Sequence, residues 1–126
     1  MSADNGIYIG EWLGSDGNPE YRVTYASAID NCDYRSRFPK EFIDAQVFYY
    51  FGQREVYHDL ELARKEAFRI LDDAEKDGLW TEYWICSLHF EHPFPSLTED
   101  EAKKIDNNYW LSIDRPDCIK SWIAPI

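Results

Sequence analysis

A row of apolar residues at helical spacing constrains the fold of this chain more than any other feature. Six residues fall on one stripe of a helix: Leu60, Ala63, Ala67, Ile70, Leu71 and Ala74. Such a stripe has to be buried, and its alanines allow a close approach to a sheet. Asp59 is suited to the N-cap and Gly78 to the C-terminal end. The pattern predicts a helix from about Leu60 to Lys76.

Two strand-like segments lie near the N-terminus. Residues 7–13 follow an Asn5-Gly6 turn signal and are rich in β-forming side chains. Residues 14–19 are dense in turn formers, and residues 21–25 then alternate apolar and polar side chains. The first 25 residues therefore predict an antiparallel hairpin.

Three further strands are predicted from composition. Residues 45–51 form the most strand-like segment, and Gly52-Gln53 offers a two-residue turn in which glycine supplies a positive φ. Residues 54–57 would be the short return strand of this second hairpin. Residues 79–90 predict one long strand.

A second helix is predicted to begin at Thr98, where Glu101 completes a capping box, and to end near Asn107 and Asn108. Residues 109–126 are apolar but irregular. Strands joined by hairpins favour antiparallel pairing. The prediction is a single α+β domain over residues 1–126, with a mainly antiparallel sheet of about five strands and two helices packed on one face.

Charge and cysteine usage restrict the partners and the compartment. The chain has 24 acidic and 13 basic residues and a net charge of −11, spread over both halves. It should be repelled by phosphate backbones and anionic lipid, so neither direct nucleic-acid binding nor membrane binding is expected. Cys32, Cys86 and Cys118 are far apart and odd in number, and no signal segment opens the chain. This usage is typical of free thiols in a reducing cytoplasm.

No motif predicts catalysis, a cofactor or a metal. Cys86, His89 and His92 resemble metal ligands, but side chains three apart on a strand point to opposite faces. Cys32 is flanked by two acids, which disfavour the nucleophilic thiolate. Phosphate-binding loops and nucleophile elbows are missing. We therefore predict a protein that is not an enzyme and has no catalytic residue, cofactor or metal ligand.

The densest acidic cluster supports two interpretations. It comprises Asp72, Asp73, Glu75 and Asp77, towards the C-terminal end of the predicted helix. Charge runs usually solvate a helix face. The functional alternative is an acidic surface that imitates DNA and occupies a nucleic-acid-binding protein.

Aromatic residues make up 17% of the chain, more ring area than a small core readily encloses. Surface rings favour interfaces because they supply contact area at low entropic cost. In the C-terminal segment, Tyr109, Trp110 and Trp122 either pack back onto the sheet or form a self-association or partner surface.

The opening Met-Ser-Ala-Asp-Asn-Gly-Ile-Tyr-Ile resembles the start of a group of small uncharacterised phage and bacterial proteins, with scattered agreement at Tyr21-Arg22-Val23 and Tyr50-Phe51-Gly52. The resemblance implies a phage accessory gene product that acts inside a bacterial cell. It implies no activity, cofactor or functional residue.

These features predict a small acidic protein that binds, and by binding inhibits, a protein of the bacterial host or the phage. One alternative is a small-molecule-binding protein or enzyme with a pocket under the aromatic strands, whose polar groups would come from Tyr49, His58, Glu82, Tyr83 and His89. Another is a virion or assembly component that oligomerises. A cleft that combined histidine, thiol and carboxylate would count against the non-catalytic interpretation.

Overall fold

The structure is a computed structural model that describes residues 5–27, 29–78 and 83–113. Its elements, in chain order, are β1 Gly6–Leu13, β2 Pro19–Ala26, a short 3-10 helix Ile29–Cys32, α1 Lys40–Phe51, α2 Leu60–Lys76, β3 Tyr83–His89 and α3 Glu99–Ile113. The predicted α+β class is confirmed.

The sheet is built around β1. Its strand order is β2-β1-β3, with β1 and β2 antiparallel from Gly6↔Ala26 to Leu13↔Pro19. The predicted N-terminal hairpin is therefore confirmed. Gly17 supplies the left-handed backbone of its turn, with φ +84°. β3 runs parallel to β1, so the sheet is mixed, and the predicted mainly antiparallel sheet of about five strands is wrong for the described residues.

The predicted strand over residues 45–51 is the second half of α1. Its Ile43, Val47 and Phe51 are buried at helical spacing in one core cluster. Valine, phenylalanine and tyrosine favour strands only weakly, so this packing decides the structure. Gly52 ends the helix in the right-handed region, with φ −66°, and forms no hairpin turn. The proposed return strand is reduced to one bridge between Tyr57 and Tyr21.

The helices cover both faces of the sheet, which corrects the predicted one-sided arrangement. Ile7 and Ile9 of β1 pack in one core cluster with alanines of α2. Tyr8 and Trp12, which point to the opposite face, pack in the other cluster with residues of α1 such as Val47. A central strand that is apolar on both faces requires a cover on each side.

Local signals locate α2 and the start of α3 correctly. The Asp59 side chain accepts a hydrogen bond from the Glu61 amide at 2.9 Å, and α2 ends at Lys76 as predicted. Thr98 and Glu101 form the predicted capping box through bonds of 2.9 and 3.1 Å.

α3 extends beyond its predicted end to Ile113, because Tyr109 packs on Phe42 of α1 with ring centroids 4.1 Å apart. The irregular chain predicted from residue 109 is thus helical up to residue 113. The rest of that segment, including Trp122 and Cys118, lies outside the described residues. Among the described helices, none has the length and apolar character needed to cross a membrane.

Candidate interaction surfaces

A groove of about 640 Å³ lies beside β3. Residues 29–35 form one wall, and residues 87–92, at the end of β3 and just after it, form the other. Its lining includes two histidines, one thiol and several carboxylates, among them His89, His92, Cys32, Asp33 and Glu91. This is the combination of groups that would count against a non-catalytic protein, so their geometry matters.

The thiol and the two histidines of this groove each have a separate environment. Cys32 is 2% exposed, and burial raises the pKa of its thiol to about 12, so the thiol is protonated at neutral pH. His89 Nδ1 lies 3.3 Å from Glu11 Oε2, and His92 Nδ1 lies 2.9 Å from the Pro93 carbonyl oxygen. Within the described part of the chain, no group of three or more histidine, cysteine, aspartate or glutamate side chains could hold a metal ion.

One wall of the groove is tied to α1. The Tyr34 hydroxyl donates a hydrogen bond to Asp44 Oδ1, and Lys40 Nζ lies 3.0 Å from Asp44 Oδ2. Burial, and next the bond to Asp44, raise the pKa of Tyr34. The phenol therefore stays protonated and acts as a fixed donor. It also contacts the His92 ring edge to face, with centroids 4.5 Å apart, so it connects both walls.

A second groove, of about 560 Å³, lies between α1 and α3. Tyr49 lies on its α1 side and Trp110 on its α3 side, with 72% and 47% of their surfaces exposed. Asp106 Oδ1 accepts hydrogen bonds from Gln46 Nε2 at 2.6 Å and from Trp110 Nε1 at 3.1 Å. The groove is therefore an aromatic surface on which the Trp110 indole makes a solvent-exposed hydrogen bond to Asp106.

The predicted partner-binding residues have different environments. Trp110 is on the rim of the α1–α3 groove, whereas Tyr109 is half-buried between Phe42 and Phe38 and mainly joins α3 to α1. Trp122 lies outside the described residues.

The four acidic residues Asp72, Asp73, Glu75 and Asp77 are exposed at the C-terminal end of α2. Two of them are paired with bases one turn away: Asp72 with Lys76 at 3.0 Å, and Asp73 with Arg69 at 2.9 Å. The carboxylates are thus gathered on one helix, as the sequence predicts, but half of them are partly neutralised.

Three polar groups of the small-molecule alternative have described side chains, and the structure does not bring these three together. Tyr49 lines the α1–α3 groove, His89 lines the groove beside β3, and His58 is exposed before α2. Glu82 and the Tyr83 side chain lie outside the described residues.

Sequence reasoning missed an exposed aromatic pair beside β3. A register shift in the β1–β3 ladder leaves Trp84 without a partner in β1. Trp84 is 60% exposed and contacts Phe68 of α2, with ring centroids 5.6 Å apart. Phe68 lies off the apolar stripe of α2, and this was the one signal in the sequence that could have indicated an exposed ring.

Comparison of the chain with protein families, curated proteins and solved structures gives no match.

Proposed function

We propose that this protein is a phage-type accessory protein that binds, and thereby inhibits, another protein in the bacterial cell. The observation that supports the proposal best is the pair of exposed rings, Tyr49 and Trp110, lining the groove between α1 and α3. Tryptophan and tyrosine are the residues most enriched among the energetic anchors of protein interfaces.

Each of the two rings already has a contact within the protein. Trp110 is held by its hydrogen bond to Asp106, and Tyr49 packs edge to face on Tyr50 with centroids 5.1 Å apart. Ordering a side chain at an interface costs about 0.5–1.5 kcal/mol, and rings that are already held avoid part of that cost.

The shape of the groove favours a helical partner segment. Two packed helices present a concave channel in which Ala45 and Ala102 leave room for inserted side chains. An amphipathic helix places apolar anchors into such a channel at helical spacing. We expect the bound segment of the partner to be a helix with an apolar face.

The test is affinity purification from bacterial lysate with a photo-crosslinking residue at position 53, which lines the groove and leaves Tyr49 and Trp110 unchanged. The wild type should crosslink to a small set of proteins, and the variant Trp110→Ala should lose most of that signal. Leu62→Ala is the matched control, because Leu62 is 48% exposed on α2 and lies outside the groove. Equal recovery by both variants, or no partner at micromolar protein, would count against the proposal.

A sharper form of the proposal is that the partner is a nucleic-acid-binding protein, which the acidic surface occupies by imitating DNA. The net charge of −11 and the exposed carboxylates of α2 support it. Because Asp72 and Asp73 are already in ion pairs, the acidic surface supports a partner less strongly than the aromatic surface does. Mimicry predicts that affinity falls steeply with salt, so binding that is unchanged between low and high salt would exclude it.

A further inference from the structure

We propose that the outer edge of β3 accepts an extended basic segment of a partner protein as an additional strand, lying in the groove beside β3. This site is separate from the α1–α3 groove and does not rest on it. The inference depends on three properties of the site: main-chain groups without a strand partner in the described part of the chain, a channel beside them, and the sign of its charge.

The main-chain groups along one side of β3 have no strand partner among the described residues. The Phe90 amide donates to the Glu11 carbonyl at 2.8 Å, so Phe90 and Leu88 direct their main-chain groups towards β1. The main-chain groups of successive strand residues point to alternate sides, so the N–H and C=O groups of Ser87 and His89 point away from β1. A row of such groups is a template for pairing with another chain.

The two edges of the sheet differ in how much of their main chain is paired in the described residues. On the outer edge of β2, Tyr21 and Tyr57 exchange two main-chain hydrogen bonds of 2.8 Å, which cover part of that edge. In the described residues, β3 has no such cover. Proteins normally protect long edges, so an edge left open beside a groove points to a partner strand.

The groove lies along the residues of β3 that would pair with this strand. Its volume of about 640 Å³ lies directly against residues 87–92. The opposite wall, residues 29–35, is anchored to α1 by the bond from Tyr34 to Asp44. An added strand would lie about 4.8 Å from β3 and pass between these two walls.

Charge determines what kind of strand fits. Asp30, Asp33 and Glu91 line the groove, and the one lysine or arginine in its lining is Arg35, whose Nε lies 3.2 Å from Asp33 Oδ1. This net negative lining favours lysine or arginine on the partner. A second copy of the chain would bring another net charge of −11, so self-pairing is disfavoured.

The exposed ring of Trp84 adds an apolar contact. Trp84 and Phe68 lie at the start of β3, at the opposite end of the strand from His89. We therefore expect the bound segment to place an apolar residue near Trp84 and basic residues near the groove. Recognition of this kind combines main-chain pairing, which supplies affinity, with side-chain contacts, which supply specificity.

The experiment uses a synthetic peptide of about seven residues, alternating lysine and valine, because strands of this length are common. Amide hydrogen exchange is measured by NMR on the full chain. At peptide concentrations near ten times the dissociation constant, exchange at Ser87 and His89 should slow about tenfold. Leu88, which already faces β1, should change little and serves as the internal control.

Two control peptides separate the contributions. Replacing every lysine by glutamate should abolish binding, and N-methylation of alternate amides should keep the charge but remove the protection of Ser87 and His89. Equal binding of the glutamate peptide would overturn the assignment of a basic partner. Protection that appears without peptide and grows with protein concentration would mean that a second copy occupies the edge, which also overturns it.

Protein variants complete the test. Ser87→Pro removes the outward amide hydrogen and should weaken peptide binding at least tenfold, whereas Ser87→Ala keeps that hydrogen and should bind normally. If Ser87→Pro does not fold, the exchange pattern with the N-methylated peptide still decides the question. Trp110→Ala should bind the peptide like the wild type, so a failure of the α1–α3 proposal is distinguishable from a failure here.

Discussion

Replacing Gly10 by alanine tests how tightly Trp12 is packed in the core cluster that faces α1. Gly10 lies in β1, and the ring of Trp12 folds back over it. A methyl group built on Gly10 would lie 2.3 Å from Cη2 and 2.6 Å from Cζ3 of Trp12. Carbon atoms normally pack about 3.5–4.0 Å apart, so the overlap exceeds about 1 Å.

The Trp12 ring has little room to move. It is fully buried, stacks on Phe90 with centroids 4.7 Å apart, and meets Phe51 and Phe94 edge to face at 4.9 Å each. Overpacking of this kind costs about 1–3 kcal/mol. Alanine is favoured over glycine inside a strand by about 0.5–1 kcal/mol, which offsets part of that cost. We expect Gly10→Ala to lower the free energy of unfolding by about 1 kcal/mol.

Urea unfolding followed by far-ultraviolet circular dichroism measures the change. The control is Gly17→Ala, where no atom lies within 4 Å but φ is +84°, so backbone strain alone should cost about 1 kcal/mol. The decisive measurement is a double-mutant cycle with Trp12→Leu. Once the large ring is gone, only the strand preference for alanine remains, so Gly10→Ala should stabilise by about 0.5–1 kcal/mol, and the coupling energy should equal the overpacking cost of about 2 kcal/mol.

Two results would refute this reasoning. The first is a Gly10→Ala protein as stable as the wild type, which would mean that the ring moves away without loss. The second is an unchanged cost of Gly10→Ala in the Trp12→Leu background, which would show that the destabilisation does not come from the ring.

Four further predictions concern the groove thiol, a helix cap and a half-buried cation. Because burial raises the pKa of Cys32 to about 12, iodoacetamide at about pH 8 should not alkylate Cys32 in the native protein but should alkylate it in the unfolded protein. Peptide mapping by mass spectrometry measures the extent of alkylation in each state. Rapid labelling of the native protein would restore a catalytic interpretation. The stability linked to this raised pKa is fully present below pH 9.0 and is lost as the pH rises towards about 12. In urea titrations, Cys32→Ala should therefore make the fall in stability at alkaline pH shallower. Thr98→Ala removes the acceptor of the Glu101 amide and should cost about 1 kcal/mol by the same assay, whereas an unchanged midpoint would show that the cap contributes nothing. The Arg22 guanidinium lies 3.6 Å from the Phe94 ring centroid, and desolvation lowers its pKa. Methionine keeps much of the apolar stem of arginine, so the free energy of unfolding of Arg22→Met should stay within about 1 kcal/mol of the wild type. A larger loss would mean that the cation itself stabilises the core.

The sequence predicts the elements whose signals are local. The stripe of α2, its Asp59 cap, the turn of the first hairpin and the capping box at Thr98 each depend on residues a few positions apart. The helix α1 escapes prediction because its composition favours a strand, and only packing of Val47 and Phe51 against β1 overrides that preference. The parallel pairing of β3 escapes prediction for a related reason, since its partner β1 lies more than seventy residues earlier.

In the candidate surfaces, too, features that depend on composition or neighbouring residues are predictable and features that depend on the fold are not. That some rings are exposed follows from composition, because the chain holds more rings than its core can cover; that Trp110 is one of them is shown only by the fold. Tyr49 was expected on a strand beside a pocket, and it lies on α1 because the whole segment is helical. The groove beside β3 could not be predicted, because residues 29–35 and 87–92 meet only in the folded chain.

The positions of the exposed rings follow from how the sheet is covered. β1 is buried on both faces, so α1 and α2 each use their apolar side against it, and little apolar area of either helix is left for the remaining aromatics. Aromatic rings that the core cannot enclose have to lie where the helices no longer cover the sheet. In the described residues these places are the channel between α1 and α3, with Tyr49 and Trp110, and the open edge of the sheet, with Trp84. Both proposed binding surfaces therefore result from the same packing that builds the core, because a three-stranded sheet is too narrow to cover every ring.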